Sequence, residues 1–124
     1  MAVDIFKFGL VELFILLFLR QEDAHGYQLV QKIEELSGGL LTVKTASLYP
    51  VLYKLAEAGC VTGKEEIVEH RSARNGRISS RVRIVYHLEE AGHKRLEELL
   101  ASYESFIKGC DNVFVNVEGG KEHD

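Results

Sequence analysis

The stretch TASLYPVLYKLAEAG, residues 45–59, decides the fold that this sequence predicts. In a helix that advances about 100° per residue, its large apolar side chains share one side. These are Leu48, Leu52 and Leu55, with Gly59 behind them. The opposite side carries Ala46, Pro50, Tyr53 and Glu57. A recognition helix in a nucleic-acid groove needs such a division, but any amphipathic surface helix has it too. Residues 45–59 therefore predict an amphipathic helix whose role depends on the surrounding sequence.

Size and composition predict one domain with an appended helix, because 124 residues at 46% hydrophobic content supply one ordinary core. The longest apolar run, residues 13–19, is far shorter than the roughly 20 residues that span a bilayer. The N-terminus lacks a secretion signal, so we expect a cytoplasmic protein without a membrane partner. Cys60 and Cys110 have no metal-ligand spacing around them, and we expect two free thiols, no metal site and no cofactor.

The net charge of −4 speaks against a nucleic-acid partner, but its distribution along the chain points the other way. Five of the seven arginines fall between residues 71 and 83, and no acidic residue interrupts that segment. They are Arg71, Arg74, Arg77, Arg81 and Arg83. This segment predicts a locally positive arm on an acidic body.

Three helices are expected in the first half of the chain. Asp4 is placed to cap a first helix that ends near Arg20. Past residue 10 this helix is apolar on nearly all sides, so it needs cover from more than one small domain. His25-Gly26 opens a second helix, which residues 37–39 end. Pro50 lies only about four residues into the third helix, where few backbone donors have partners, so it need not break that helix.

A long hairpin and a last helix are expected in the second half. Residues 61–70 and 80–88 are the strand candidates, because apolar and polar side chains alternate there. Asn75-Gly76 between them favours a two-residue turn, since both residues accept positive φ. A last helix follows from Glu89 to about Cys110, with an apolar stripe along it. Residues 111–124 are uncertain, with strand-like alternation of valines and then a frayed end.

The order helix, helix, helix, long hairpin, helix is that of a winged helix-turn-helix with an added C-terminal helix. Three motifs carry a closer resemblance: HGYQL at residues 25–29, SLYPVL at residues 47–52, and YHL at residues 86–88 followed by Gly92. In this order they resemble the PadR family of bacterial transcription regulators, whose pattern is roughly HGYxL, TLYPxLxxLExxG and then YxLTxxG after the wing. The resemblance spans about residues 13–96.

The chain departs from that pattern at three positions, because Ser47 replaces Thr, Ala56 replaces Glu and Glu89 replaces Thr. Its wing, the hairpin between residues 61 and 88, is also longer than that of typical members. A serine keeps the hydroxyl group, and a carboxylate still favours a helix N-terminus. In the wing, Arg83-Ile84-Val85-Tyr86 also replaces the more usual basic-basic-aromatic-aromatic run. This run and the greater length of the wing bear on the contacts of the wing and not on the fold.

The resemblance implies a mainly α protein with a small β hairpin. Residues 1–88 would form the winged helix-turn-helix domain, residues 89–110 a dimerisation helix, and residues 111–124 a frayed tail. It also implies a homodimeric, sequence-specific regulator, generally a repressor of a nearby gene, that binds a pseudo-palindromic operator in duplex DNA. Some family members are released by a small-molecule effector. No catalytic motif is visible, so we do not expect an enzyme.

Residues at the start of the recognition helix meet base edges, while hydroxyl, phenol and cationic groups bind phosphates. The candidate DNA-binding residues are Tyr27, Thr45, Ser47, Tyr49, Lys54, Arg71, Arg74, Arg77 and Arg81. Other roles are open for several of them. The two tyrosines could pack in the core, Thr45 could be a plain N-cap, and the arginines could form a solvated hairpin tip.

The apolar stripe of the last helix and the apolar first helix predict a dimer interface in which the last helix packs on the first and last helices of its mate. The candidate interface residues are Phe8, Leu16, Leu96, Leu100, Tyr103 and Ile107. Two other functions stay open. One is a metal-responsive winged-helix regulator with Cys60, Cys110 and histidines as ligands, and the other is a winged-helix module that binds protein.

Overall fold

The computed structural model describes residues 2–122, with side-chain environments up to residue 119. Its helices are α1 (Val11–Gln21), α2 (Gly26–Leu36), α3 (Thr45–Glu57) and α4 (Glu90–Glu122). Its strands are β1 (Val3–Asp4), β2 (Ala24–His25), β3 (Leu41–Thr42), β4 (Val61–Arg71) and β5 (Ile78–Leu88), and a 3-10 helix (Ile5–Phe8) precedes α1. The predicted class, mainly α with a small hairpin and a long C-terminal helix, is confirmed.

The strands form two small sheets. β1 and β3 pair in parallel, and β2, β5 and β4 form an antiparallel sheet in that order. β4 and β5 pair along their whole length, from Val61 opposite Leu88 to Arg71 opposite Ile78. β2 pairs only with Tyr86 and Val85, at the base of the hairpin. The outer part of the wing is therefore a two-stranded ribbon that projects from the domain.

The core forms around the apolar side of α3, as the spacing of its leucines predicts. Leu48 and Leu52 are fully buried, and Leu55 is 4% exposed. They belong to one cluster with buried residues of α1, α2, both wing strands and the start of α4. Pro50 lies inside α3 without ending it. The buried leucines leave the opposite side of α3 free to contact other molecules.

The first predicted helix is divided in two. Asp4 does act as a cap, because its carboxylate accepts a hydrogen bond from the Phe6 amide at 3.0 Å, but the helix it caps is the short 3-10 helix. Gly9 ends that helix in the left-handed conformation, at φ 68°, which glycine adopts without steric cost. α1 begins only at Val11.

The turn of the hairpin also differs from the prediction. A two-residue Asn75-Gly76 turn is wrong, because the strands end at Arg71 and Ile78 and leave residues 72–77 as the loop. A type I′ turn needs two residues with positive φ, and of this pair only Gly76 has one, at 68°. The Asn75 side chain instead accepts a hydrogen bond from the Arg77 amide at 2.9 Å.

The last helix does not end near Cys110 but continues to Glu122. The strand-like and frayed interpretation of the tail is therefore wrong for residues 111–122, and residues 123–124 lie outside the described part. At about 100° per residue, Val113, Phe114 and Val117 stay on the same side as the apolar stripe before them. The alternation of valines in the sequence conceals this helical periodicity.

Two expected interface residues lie inside the subunit instead. Leu16 of α1 is fully buried, and Leu96 of α4 is 1% exposed. Both belong to the core cluster of their own chain, because α4 packs its first turns directly on α1. Neither leucine is available to a second subunit, and this corrects their assignment.

Gly92 lets the first turn of α4 approach the end of the α3–β4 connection. A Cβ atom at this position would overlap the carbonyl oxygen of Cys60 and Cδ1 of Leu88. The Glu89 amide donates to the same carbonyl at 2.9 Å. This close approach gives a physical reason for the glycine of the third motif.

We expect Gly92→Ala to lower the free energy of unfolding by about 1–3 kcal/mol, because the new methyl group meets backbone that cannot yield easily. Gly109→Ala on the same helix is the matched control. A Cβ there meets nothing within 4 Å, and the better helix propensity should raise stability by about 0.5–1 kcal/mol. Urea denaturation measures both variants, and equal stability of Gly92→Ala and the unmodified protein would contradict the packing argument.

His25 caps α2 through a reciprocal pair of hydrogen bonds. The Gln28 amide donates to Nδ1 of His25 at 3.3 Å, and the His25 amide donates to Oε1 of Gln28 at 3.0 Å. Burial and the nearby Arg83 guanidinium lower the pKa of His25 below its usual value. Both effects disfavour the imidazolium, which also could not accept the hydrogen bond from Gln28.

Because the pKa of His25 is lower in the folded state, His25 takes up a proton in the unfolded chain at a higher pH than in the folded protein. The stability that neutral His25 supports is therefore present above its unfolded pKa of about 6.5 and is lost as the pH falls through the folded value. His25→Asn keeps a capping side chain but does not titrate. We expect the unmodified protein to lose more stability than this variant between about pH 7 and about pH 5.5 in urea denaturation. Identical pH dependence would refute the role of His25.

Candidate nucleic-acid interface

The N-terminal end of α3 is open to solvent. Thr45 is exposed and is the first residue of the helix, whereas Ser47 is half-buried. The N-cap is Lys44, whose side chain makes no capping hydrogen bond. Thr45 as the N-cap is therefore wrong, and its hydroxyl can meet a ligand. Lys44, which sequence reasoning missed, adds an exposed cation at the same end.

Tyr49 packs partly against the core and keeps part of its side chain exposed. Its ring lies over the start of α2, so closely that a Cβ atom on Gly26 would come within 2.6 Å of its Cζ and Oη atoms. The Tyr53 ring lies beside it, with the centroids 5.9 Å apart. Gly26 thus leaves the space that holds Tyr49 in position.

Two further tyrosines stand clear of the core. Tyr27, in the first turn of α2, is 55% exposed, so its interpretation as a core residue is wrong. Tyr53 is equally exposed on α3, and sequence reasoning missed it as a site residue. Its spacing of four residues from Tyr49, which places both on neighbouring helix positions, is the signal that could have found it.

Lys54 lies on the other flank of α3. It lines a mostly apolar groove that includes Phe6, Glu12 and Arg95. Glu12 and Arg95 form an ion pair there, with Nε and Oε1 2.7 Å apart. The structure therefore does not bring Lys54 together with the tyrosines.

The charges of the wing are divided between its two strands. The arginines at positions 71, 74, 77 and 81 are exposed, and all but Arg71 lie on the loop or on β5. The segment from Arg71 to Arg83 contains no acidic residue, but strand pairing places Glu66 opposite Arg83 and so offsets one of its five positive charges. These two side chains form an ion pair with 3.3 Å between Nη2 and Oε1. The glutamates of the wing all lie on β4, at positions 65, 66 and 69.

A cleft of about 570 Å³ separates α3 from the wing. It is lined by His25, Tyr27, Tyr49, Tyr53, Arg81, Val82, Arg83, Ile84 and Tyr86; these nine residues are called the cleft below. Burial raises the pKa of the Tyr86 phenol, and the neighbouring Tyr53 and Tyr49 raise it further. The phenol of Tyr86 is thus held in its protonated form, which can donate a hydrogen bond.

One more titratable pair lies outside the cleft. His87 of β5 contacts Asp23 with 2.7 Å between Nδ1 and Oδ1, and this hydrogen bond and the carboxylate charge raise the pKa of His87. Both side chains are more than half exposed. The pair links the wing base to the α1–α2 connection.

Among residues 2–119, whose side chains the structure describes, no three His, Cys, Asp or Glu side chains converge as metal ligands would. Cys60 is buried, Cys110 is half-buried, and both are free thiols. Within the same part of the chain, no helix combines the length and the apolar character that crossing a membrane requires.

A second, mostly apolar surface lies outside the cleft. Phe8 is 63% exposed, and Tyr103 and Ile107 are just over one third exposed. With Leu10, Leu13, Leu99 and Phe106 they line an apolar groove between the N-terminal segment and α4. Leu100 is half-buried against its own core. Four of the expected interface residues therefore keep some exposed apolar surface: Phe8, Leu100, Tyr103 and Ile107.

Comparisons with known proteins agree with this geometry. The model of the transcriptional regulator PadR-like family matches residues 15–98. Transcriptional regulator YqjI of Escherichia coli (strain K12) is 39% identical over 61 residues, which are 49% of this chain and only 30% of that protein. The chain thus spans less than one third of this curated relative.

Solved structures share the fold. A transcriptional regulator from Clostridium thermocellum matches with a TM-score of 0.69 at 22% identity, over 86% of this chain and 91% of that chain. Bacillus subtilis PadR, solved in complex with operator DNA, matches with a TM-score of 0.60 at 24% identity, over 73% of this chain and 46% of that chain. Since the family model covers most of the chain, the protein belongs to the PadR-like family of transcriptional regulators.

Proposed function

We propose that this protein is a homodimeric, sequence-specific DNA-binding regulator that represses a nearby gene in the bacterial cytoplasm. The observation that carries the proposal is the exposed side of α3, which stands beside an arginine-bearing wing on the same domain. In a winged helix-turn-helix, the recognition helix enters the major groove while flanking elements hold the backbone. The solved complex of Bacillus subtilis PadR with operator DNA supports this proposal by analogy.

In this arrangement Thr45 and Ser47 face base edges, because they lie in the first turn of α3. Tyr49 and Tyr27 donate their phenolic hydroxyl groups to phosphates on either side of the groove. Lys54 lies on the other flank of α3, so it would reach the DNA backbone only at the far edge of the major groove. Side chains that contact bases select the sequence, and those that contact phosphates set the register.

The wing arginines at positions 71, 74, 77 and 81 supply planar guanidinium groups for phosphates and the minor groove. The glutamates at positions 65, 66 and 69 of β4 would be repelled by the phosphate backbone. We therefore expect the loop, the adjoining Arg71 and β5 to approach the duplex, and not the part of β4 that carries the glutamates.

The dimer is proposed to form through α4. Its apolar stripe continues through residues 113, 114 and 117, and these side chains are about 60% exposed in the subunit. In a two-fold interface, if residue i meets residue j, then j also meets i. An antiparallel pair of α4 helices centred near residues 108–109 places residue 103 opposite residue 114 of the mate. Phe8 and the groove beside it then cover the end of the mate's helix.

Salt dependence tests the DNA-binding proposal. With about six phosphate contacts per dimer, affinity for duplex DNA should fall about a thousandfold between 50 and 200 mM salt. Arg74→Gln with Arg77→Gln should flatten the plot of log affinity against log salt by about 0.9 for each phosphate that these arginines no longer neutralise. Lys94→Gln with Lys108→Gln removes the same charge from α4 and should leave that slope unchanged. Binding that is nearly flat in salt for the unmodified protein would refute the proposal.

The dimer is tested at exposed positions of the stripe, so that the subunit itself keeps its fold. Ile107→Lys with Phe114→Lys should yield monomers that bind an operator at least tenfold more weakly, because each half-site alone contributes only its own contacts. Ala101→Lys with Ser105→Lys, on the opposite side of α4, is the control and should remain dimeric. Analytical sedimentation measures the mass of each variant. A dimer that survives the stripe substitutions would contradict the proposed interface.

A further inference from the structure

We infer that the cleft is a built site for one DNA backbone phosphate, the one that separates the major groove from the minor groove, with Arg83, Tyr49 and Tyr53 as its main donors. The inference rests on the proposed function and deepens it. It adds Arg83, Tyr53 and His25 to the residues already assigned to DNA and gives them one shared ligand.

The position of the cleft is the first argument. One wall is the flank of α3, the helix proposed to enter the major groove, and the other is β5 of the wing, proposed to lie along the minor groove. A sugar-phosphate strand always runs between neighbouring major and minor grooves. If both elements engage the duplex, that strand has to cross the opening of the cleft.

Arg83 is the second argument, because its guanidinium is incompletely paired. Nη2 contacts Glu66 at 3.3 Å, while Nε is buried and has no hydrogen-bond partner among the described residues. A buried donor without an acceptor is costly. A turn of the side chain away from Glu66 would bring this donor to a phosphate oxygen, and the fork of a guanidinium matches two oxygens of one phosphate. The ion pair with Glu66 is partly exposed and worth little, so it can yield to a phosphate.

The donors around Arg83 are the third argument. The Tyr49 and Tyr53 phenols lie side by side, and Arg81 adds a second positive charge to the same wall. His25 uses Nδ1 as an acceptor for the Gln28 amide, so its neutral tautomer carries the proton on Nε2 and can donate. None of the nine residues that line the cleft is acidic. The lining is rich in donors, and the Glu66 carboxylate that pairs with Arg83 is not part of it. Such a lining fits an anion of the phosphate class.

The test uses the full-length protein and a duplex that it binds, with affinity measured as a function of salt. Arg83→Gln should reduce the salt slope by about 0.9 per subunit and weaken binding roughly tenfold at low salt. Tyr53→Phe removes a neutral donor, so it should weaken binding several-fold with the slope unchanged. Glu66→Gln should strengthen binding, because it frees the guanidinium. Arg95→Gln is the matched control, since it removes an ion-paired arginine of α4 outside the cleft.

The outcomes separate this inference from the proposed function. If the unmodified protein binds DNA with a steep salt dependence but Arg83→Gln keeps the same slope, the cleft site is overturned while the DNA-binding proposal stands. If the unmodified protein shows no salt-dependent binding, the proposed function itself fails. Circular dichroism of each variant confirms that it is folded, and a second variant, Arg83→Lys, should restore most of the slope but not the full affinity.

A neutral methylphosphonate placed at single positions of the duplex locates the phosphate. At one position per half-site, this substitution should weaken binding of the unmodified protein. The same substitution should not weaken binding of the Arg83→Gln variant any further. The absence of any such position would overturn the inference. In the last experiment, inorganic phosphate is added to the protein at constant ionic strength without DNA. Saturable shifts of the cleft tyrosine NMR signals at millimolar phosphate would assign the cleft to the free anion instead.

Discussion

The burial of three leucines on one side of α3 is the interaction on which the rest of the structure depends. Leu48, Leu52 and Leu55 contact α1, α2 and the base of the wing in one cluster. Burying each such side chain contributes about 1.5–3 kcal/mol, so any rotation of α3 about its axis would cost several times the thermal energy. The helix is therefore held in a single orientation. The residues that it turns outward, from Thr45 to Tyr53, take their positions from this packing.

The wing is also positioned by the core, through the pairing of its two strands. Its base is fixed by Val61, Tyr86 and Leu88 in the core, and register carries this order outward along β4 and β5. The register also decides electrostatics, because it sets Glu66 against Arg83. Between this ribbon and α3 lies a cleft whose walls are both anchored in the core. Its donors are thus preorganised, which lowers the entropy cost of binding a ligand.

Local patterns predicted much of the fold and part of the site. The leucine spacing of α3, the start of α2 at His25-Gly26 and the alternation in β5 each depend on one local stretch of sequence, and the structure agrees with them. The failures involve long-range or conformational information. The left-handed Gly9 divides the first helix, the six-residue loop replaces an Asn-Gly turn, and the packing of α4 on α1 buries Leu16 and Leu96.

The site shows the same limit. The clustered arginines have no acidic neighbours in the sequence, because the strand pairing that brings Glu66 to Arg83 joins residues seventeen positions apart. Tyr53 was not among the sequence candidates, and Arg83 was named only as one of five wing arginines, because the role proposed for both depends on how α3 and β5 face each other. Selection of bound sequences from random duplexes tests the central claim most directly. We predict enrichment of an inverted repeat whose half-sites lie about one DNA turn, or a multiple of it, apart. Recovery of sequences with no enrichment over the starting pool would contradict this claim.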